Sequence, residues 1–134
     1  MYTLEQQKAN RALWIKELRE TDKKQGQEFL KQKNNKGEYL YCCLGIGCEV
    51  AIANGVPVAI EREGNIYKYD KEEVELPEVV RDWLGLKESL GETRDEKGMQ
   101  VSLASLNDHR LYSFKQIADY LESDPPGVFV GPPE

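Results

Sequence analysis

The sequence contains few of the residues that most often bind metals or carry out catalysis. It has one histidine, His109, and three cysteines, Cys42, Cys43 and Cys48, among 134 residues. The cysteines lack the paired two-residue spacing of a zinc ribbon, and the histidine lies far from them in the chain. We therefore expect no bound metal and no cofactor. The odd number of cysteines, and an N-terminus without the apolar stretch of a signal peptide, predict a reduced, cytoplasmic protein.

Long apolar runs and an excess of positive charge are also absent. No uncharged run approaches the roughly 20 apolar residues that a membrane-spanning helix needs. The 18 basic and 24 acidic residues give a net charge of −6, which argues against general nucleic-acid binding. The charge is uneven, because residues 1–36 hold nine basic against five acidic side chains and residues 37–134 hold nine against nineteen. A basic arm on an acidic body could attract an anion or a partner, although a solvated helix face gives the same pattern.

The apolar pattern predicts an α+β fold in a single domain over residues 1–123, with a small antiparallel sheet packed against about three helices. Capping boxes at Thr3 and Ser113 mark two helix starts. The Pro- and Gly-rich segment 124–134 is predicted to be a disordered tail. The predicted core comprises Trp14, Ile15, Leu18, Leu30, Leu44, Cys48, Ile52, Val58, Ile60, Val80, Trp83, Leu106, Ile117 and Leu121.

The segment YCCLGIGC admits two interpretations. Gly45 and Gly47 fall in the first turn of a predicted helix, where glycine is unfavourable, so another backbone is expected to approach closely there. Cysteines in such a segment usually act as small buried apolar residues. Alternatively, one of them could be a nucleophile that acts with His109 and with Asp108 or Asn107.

The most polar cluster with apolar flanks is Asn107-Asp108-His109-Arg110, which lies between Leu106 and Leu111. Its side chains could bond backbone amides of a turn. The same atoms would suit a nucleotide-like ligand, because Asn donates and accepts, Asp accepts from hydroxyls, and Arg binds phosphate in a bidentate manner. Asn107, Asp108 and Arg110 are therefore the predicted ligand-binding residues. Arg11 is a further candidate, since it interrupts the apolar stripe of the first helix, although a snorkelling arginine would do the same.

A series of blocks resembles a family of small phage and prophage proteins. The blocks are a helix with Trp14, Gln25-Gly26, Tyr-Cys-Cys-Leu-Gly at 41–45, Leu-Pro at 76–77 followed by Trp, Leu-Asn-Asp at 106–108, and Ser-Phe-x-x-Ile-Ala at 113–118. The chain departs from the usual pattern at His109-Arg110 and in its Pro-rich tail.

The resemblance implies an accessory protein of a phage that counters host defence. It could do so by non-enzymatic binding, that is sequestration, of a small anionic, nucleotide-derived signal in the host cytoplasm. A second hypothesis is an acidic protein–protein inhibitor of a host defence protein, and a third is a cysteine-dependent hydrolase. We expect no membrane association, and a homodimer is plausible because symmetric dimers are common.

Overall fold

In the computed structural model, which describes residues 2–131, five helices surround one hydrophobic core. The first and longest helix contacts three of the others. The helices are α1 (Leu4–Glu20), α2 (Cys43–Ala53), α3 (Glu78–Leu84), α4 (Leu103–Asp108) and α5 (Phe114–Glu122).

Within residues 2–131, seven short strands form two sheets. Five strands have the order β1-β3-β2-β5-β4, and β6 and β7 form a separate hairpin. The strands are β1 (Lys24–Gln25), β2 (Lys31–Lys33), β3 (Tyr39–Tyr41), β4 (Ile60–Glu63), β5 (Ile66–Tyr69), β6 (Glu92–Arg94) and β7 (Gln100–Ser102). The predicted α+β single domain is confirmed. The larger sheet is mixed rather than antiparallel, because the two-residue strand β1 pairs parallel to β3.

Local sequence signals place the helices. Thr3 and Ser113 both form the predicted capping boxes, in which the side chain accepts from the third helical amide and a Gln reaches back. Gly45 explains the predicted close approach, because a Cβ at this position would lie 1.8 Å from the backbone oxygen of Leu30. Glycine therefore lets α2 pack directly on the segment that leads into β2.

Most of the predicted core is buried, including Trp14, Leu44 and Ile117. Ile15, Ile52 and Val58 are only partly buried. The prediction for Ile60 is wrong, since 47% of this residue is exposed. Ile60 lies on β4, the last strand of the sheet, which pairs only with β5.

The tail differs from the prediction of disorder in its described part. Val128 and Phe129 are buried. The Lys87 amide donates to the Val128 carbonyl at 3.0 Å, and the Val130 amide donates to the Gly85 carbonyl at 2.7 Å. Burial of apolar side chains in this segment offsets the conformational entropy that is lost when the segment is ordered, despite its proline and glycine content. Residues 132–134 lie outside the described part of the chain.

Across residues 2–131, no helix is both long enough and apolar enough to cross a membrane. The same residues contain no group of three or more His, Cys, Asp or Glu side chains placed to hold a metal ion.

Candidate ligand-binding site

Asn107, the first predicted ligand residue, is fully buried at the end of α4. Its Nδ2 donates to the Gly26 carbonyl at 2.9 Å, and its Oδ1 accepts from Gln25 Nε2 at 2.7 Å and from the Cys43 amide at 3.2 Å. Cys43 begins α2, whose N-cap residue Cys42 provides no side-chain cap. Asn107 therefore caps α2 from a distant part of the chain, and these contacts favour a structural role.

Asp108 and Arg110 also have partners within the protein. Asp108 Oδ1 accepts from the Glu28 amide and from Asn107 Nδ2, both at 2.8 Å. Arg110 forms an ion pair with Asp95 at 2.8 Å, and the pair holds the pKa of the Asp95 carboxyl below its usual value. The structure thus brings Asn107 and Asp108 into contact but directs Arg110 to the loop that joins β6 and β7.

Arg11, the fourth predicted ligand residue, lies apart from this turn, at the C-terminal end of α3. Its guanidinium carbon is 3.8 Å from the centre of the Phe129 ring, and Gly85 leaves the space that the group occupies. Burial lowers the pKa of Arg11, and Asp124 opposes that shift. Arg11 Nε and Nη2 are buried without a hydrogen-bond partner in the described chain. A cation next to the last carbonyls of a helix is favourable, so the position also has a structural explanation.

The three cysteines are buried and form no disulfide. Burial raises the pKa of the Cys42 thiol to about 12 and raises the pKa of Cys43 and Cys48 well above the ordinary value. A nucleophilic cysteine needs an accessible thiolate, whereas His109 is exposed and these thiols are not. This geometry weighs against the cysteine hydrolase hypothesis.

An aromatic and basic surface on the larger sheet is the arrangement best suited to a ligand. Lys31 Nζ lies 4.7 Å from the ring centres of both Tyr39 and Tyr67, and 5.5 Å from that of Tyr41. The Tyr39 and Tyr67 rings meet edge to face, with centres 5.8 Å apart. Register explains the cluster, because Lys31 on β2 pairs with Tyr41 on one side and with Tyr67 on the other.

Three further cations surround these rings. Lys33 Nζ lies 5.7 Å from the Tyr39 ring, the Arg62 guanidinium 5.8 Å from the Tyr67 ring, and Lys23 Nζ 5.9 Å from the Tyr41 ring. We name the whole surface the tyrosine–lysine face. It comprises Lys23, Lys31, Lys33, Tyr39, Tyr41, Arg62 and Tyr67. The Tyr39 and Tyr67 rings are accessible, whereas Tyr41 is buried at the base of the face.

The tyrosine–lysine face carries four positively charged side chains. None of its four cations forms an ion pair with an acidic side chain within residues 2–131. The pKa of Tyr39 is lowered, first by hydrogen bonding with Tyr67 and then by the charges of Lys33 and Lys31. This surface therefore offers a positive potential and aromatic rings in one place, on a chain whose net charge is −6.

Sequence reasoning missed this face, although a signal for it exists. Lysines at 31 and 33, and tyrosines at 39 and 41, repeat with the period of two that puts side chains on one side of a strand. The pattern does not reveal which strands are neighbours, so the lysines and tyrosines could not be combined into one surface.

The fold and this face define a small α+β protein with a basic aromatic sheet surface. The family described as "Domain of unknown function (DUF8296)" matches residues 6–124, and the chain belongs to that family. No curated protein matches the chain, and no solved structure matches it.

Proposed function

We propose that the protein binds a small anionic, nucleotide-derived ligand on the tyrosine–lysine face without converting it chemically. The observation that carries the proposal is Lys31, an unpaired cation within 5.5 Å of three tyrosine rings. Aromatic side chains stack on nucleobases, and lysine binds phosphate as a point charge. Both chemistries lie on neighbouring strands of one sheet, which is a rigid support for a binding site.

The contacts of the four residues predicted from the sequence favour the sheet over the turn as the binding site. The side chains of Asn107 and Asp108 bond the Gln25 side chain on β1 and backbone groups of α2 and of the segment after β1. Arg110 is paired, and Phe129 covers Arg11. A ligand at any of these residues would have to displace contacts that the protein already makes, and at Asn107 these contacts are buried.

The resemblance to phage and prophage proteins suggests the biological role. We propose that the protein acts in the host cytoplasm and counters host defence by sequestering a nucleotide-derived signal. A non-enzymatic mechanism agrees with the burial of all three thiols. Self-association into a homodimer remains a prediction, and an acidic inhibitor of a defence protein remains the alternative function.

A thermal-melt screen of purified protein against cyclic and ADP-ribose-type nucleotides tests the proposal. A ligand at about 100 times its dissociation constant should stabilise the folded state by roughly 2.7 kcal/mol, which raises the melting temperature by several degrees. Lys31→Ala should reduce this shift strongly.

Lys68→Ala is the matched control. Lys68 lies on β5 next to Tyr67 but points to the other side of the sheet, where it pairs with Glu63 at 2.7 Å. The Lys68→Ala variant should therefore bind the ligand as tightly as the unaltered protein does. Equal losses in both variants would show that the tyrosine–lysine face is not the binding site. A screen without any shift, followed by salt-sensitive capture of a basic host protein, would favour the acidic inhibitor instead.

A further inference from the structure

We propose that the ligand of the tyrosine–lysine face is a short single-stranded oligonucleotide rather than a mononucleotide. This inference rests on the proposed function and specifies its ligand class. Its basis is the linear arrangement of the cations and rings, which extends across the whole five-stranded sheet.

The row runs perpendicular to the strands. Lys23 directly precedes β1, Tyr41 lies on β3, Lys31 on β2, Tyr67 on β5 and Arg62 on β4. The register places four of these residues side by side, because Lys31 pairs with Tyr41 and Tyr67, and Tyr67 pairs with Arg62. Lys23 adjoins them through its side chain, whose Nζ lies 5.9 Å from the Tyr41 ring. A cation therefore lies at each end of the row and a third, Lys31, lies between them. Tyr67 is partly exposed between Lys31 and Arg62, whereas Tyr41 is only 6% exposed and its ring lies near Lys23 and Lys31 without being open to a base.

The length of the row sets the length of the ligand. Four interstrand steps separate β1 from β4 in the sheet order. At about 4.8 Å a step, they span roughly 19 Å. A stacked strand advances about 3.4 Å per nucleotide and an extended one roughly twice that, so the row matches about three to six nucleotides. A mononucleotide would leave one end of the row empty.

Acidic side chains limit the row at the end near Lys23. A groove of about 370 Å³ between α1 and α2 begins at Lys23, and its walls hold three acidic side chains, Glu17, Glu20 and Glu49, against one further cation, Lys16. A longer polyanion would pass over these carboxylates and gain nothing from them. A short ligand is thus compatible with a net charge of −6, which disfavours general nucleic-acid binding.

The aromatic rings favour a single strand over a duplex. Tyr39 is 44% exposed, and its ring lies at the surface beside Tyr67. Stacking on such rings requires bases that are not already stacked and paired within a double helix. Cations alone would bind either form through its phosphates.

Fluorescence anisotropy with labelled oligothymidylates of one, two, four and eight nucleotides tests the inference on the full chain. Affinity should rise roughly tenfold for each further base that stacks, and should then level off between four and eight nucleotides. For the tetranucleotide, log affinity against log salt should have a slope of about −2, as expected for about three neutralised phosphates. A closed hairpin stem, in which the bases are paired and stacked, should bind more weakly than the single strand.

Variants at the two ends of the row and at its centre distinguish the contribution of the end cations from that of the central lysine. Lys23→Ala and Arg62→Ala should each weaken tetranucleotide binding about threefold to tenfold and should weaken mononucleotide binding clearly less, because a mononucleotide does not reach both ends of the row. Lys31→Ala should weaken both, and Lys68→Ala on the opposite side of the sheet should weaken neither.

The outcomes distinguish the two proposals. A mononucleotide that binds as tightly as the tetranucleotide, or end variants that affect both probes equally, would overturn the oligonucleotide inference and leave the proposed function intact. Equal binding of the hairpin stem and the single strand would also overturn it. If neither the oligothymidylates nor the nucleotides of the melt screen bind, both proposals fail.

Discussion

Asn107→Ala is the substitution that best separates a ligand-binding residue from a structural one. The side chain is fully buried, and its removal leaves the Cys43 amide and the Gly26 carbonyl without this partner. An unsatisfied buried backbone group costs about 1–3 kcal/mol. The two groups together with the space left behind give an expected loss of about 3–5 kcal/mol, a large part of the 5–15 kcal/mol typical of whole domains.

Asn54→Ala provides the matched control for this measurement. Asn54 is the C-cap residue of the same helix, α2, and its Nδ2 donates to the Val50 carbonyl at 2.8 Å. It is exposed, so water can replace the lost bond and the expected loss is below about 1 kcal/mol.

Urea denaturation followed by the fluorescence of Trp14 and Trp83 measures both losses, since both indoles are buried. A loss for Asn107→Ala that is no larger than that for Asn54→Ala would refute the structural role. If Asn107→Ala also abolished ligand binding while the protein stayed folded, the result would favour the turn at residues 107–110 as the binding site.

The remaining predictions concern the core. Gly45→Ala should destabilise the protein by at least about 3 kcal/mol in urea denaturation, because its Cβ would meet backbone at Leu30. Gly47→Ala should cost about 1 kcal/mol or less, since its new contacts are side-chain atoms and alanine favours the helix; equal losses would contradict this reasoning. Alkylation of all three thiols at neutral pH should be slow, since burial raises the pKa of Cys42 to about 12 and leaves almost no thiolate; one fast thiol would contradict it. The free energy of unfolding should fall as the pH rises from 9.0 towards about 12, because the unfolded chain releases thiol protons that the folded chain retains. Denaturation midpoints that stay constant or increase over this range would overturn that expectation.

Features that depend on neighbouring residues could be predicted from the sequence. The capping boxes at Thr3 and Ser113 form as expected, because a cap involves residues only three positions apart. The close approach at Gly45 followed from the cost of glycine in a first turn, although its partner, Leu30, did not. Local signals thus marked where the elements begin and where one of them must pack tightly.

Features that depend on distant residues could not be predicted. The tail is rich in proline and glycine, yet Val128 and Phe129 are buried. Phe129 pairs with Leu86 and contacts Arg11. Ile60 has the alternation of a half-buried strand, yet it lies at the edge of the sheet. Composition and periodicity do not determine where a segment packs relative to the rest of the fold.

The turn at Asn107 shows why one sequence signal supported two roles. Polar residues between Leu106 and Leu111 are typical of a ligand-binding turn and of a buried hydrogen-bonding hub alike. What distinguishes them is the identity of the partners, and these are Gln25, Gly26 and Cys43, which are remote in sequence.

The position of the lysines on the sheet favours a role in ligand binding over a role in preventing the sheet from pairing with another chain. Lysine on an edge strand is a common defence against pairing with another chain. Lys31 and Lys33, however, lie on β2, the central strand, which is already paired on both sides. Contact with tyrosine stabilises a surface cation by about 0.5–1 kcal/mol, but one lysine would suffice for that. Four unpaired cations around three rings, on an acidic protein, are instead the arrangement expected where a ligand supplies the negative charge.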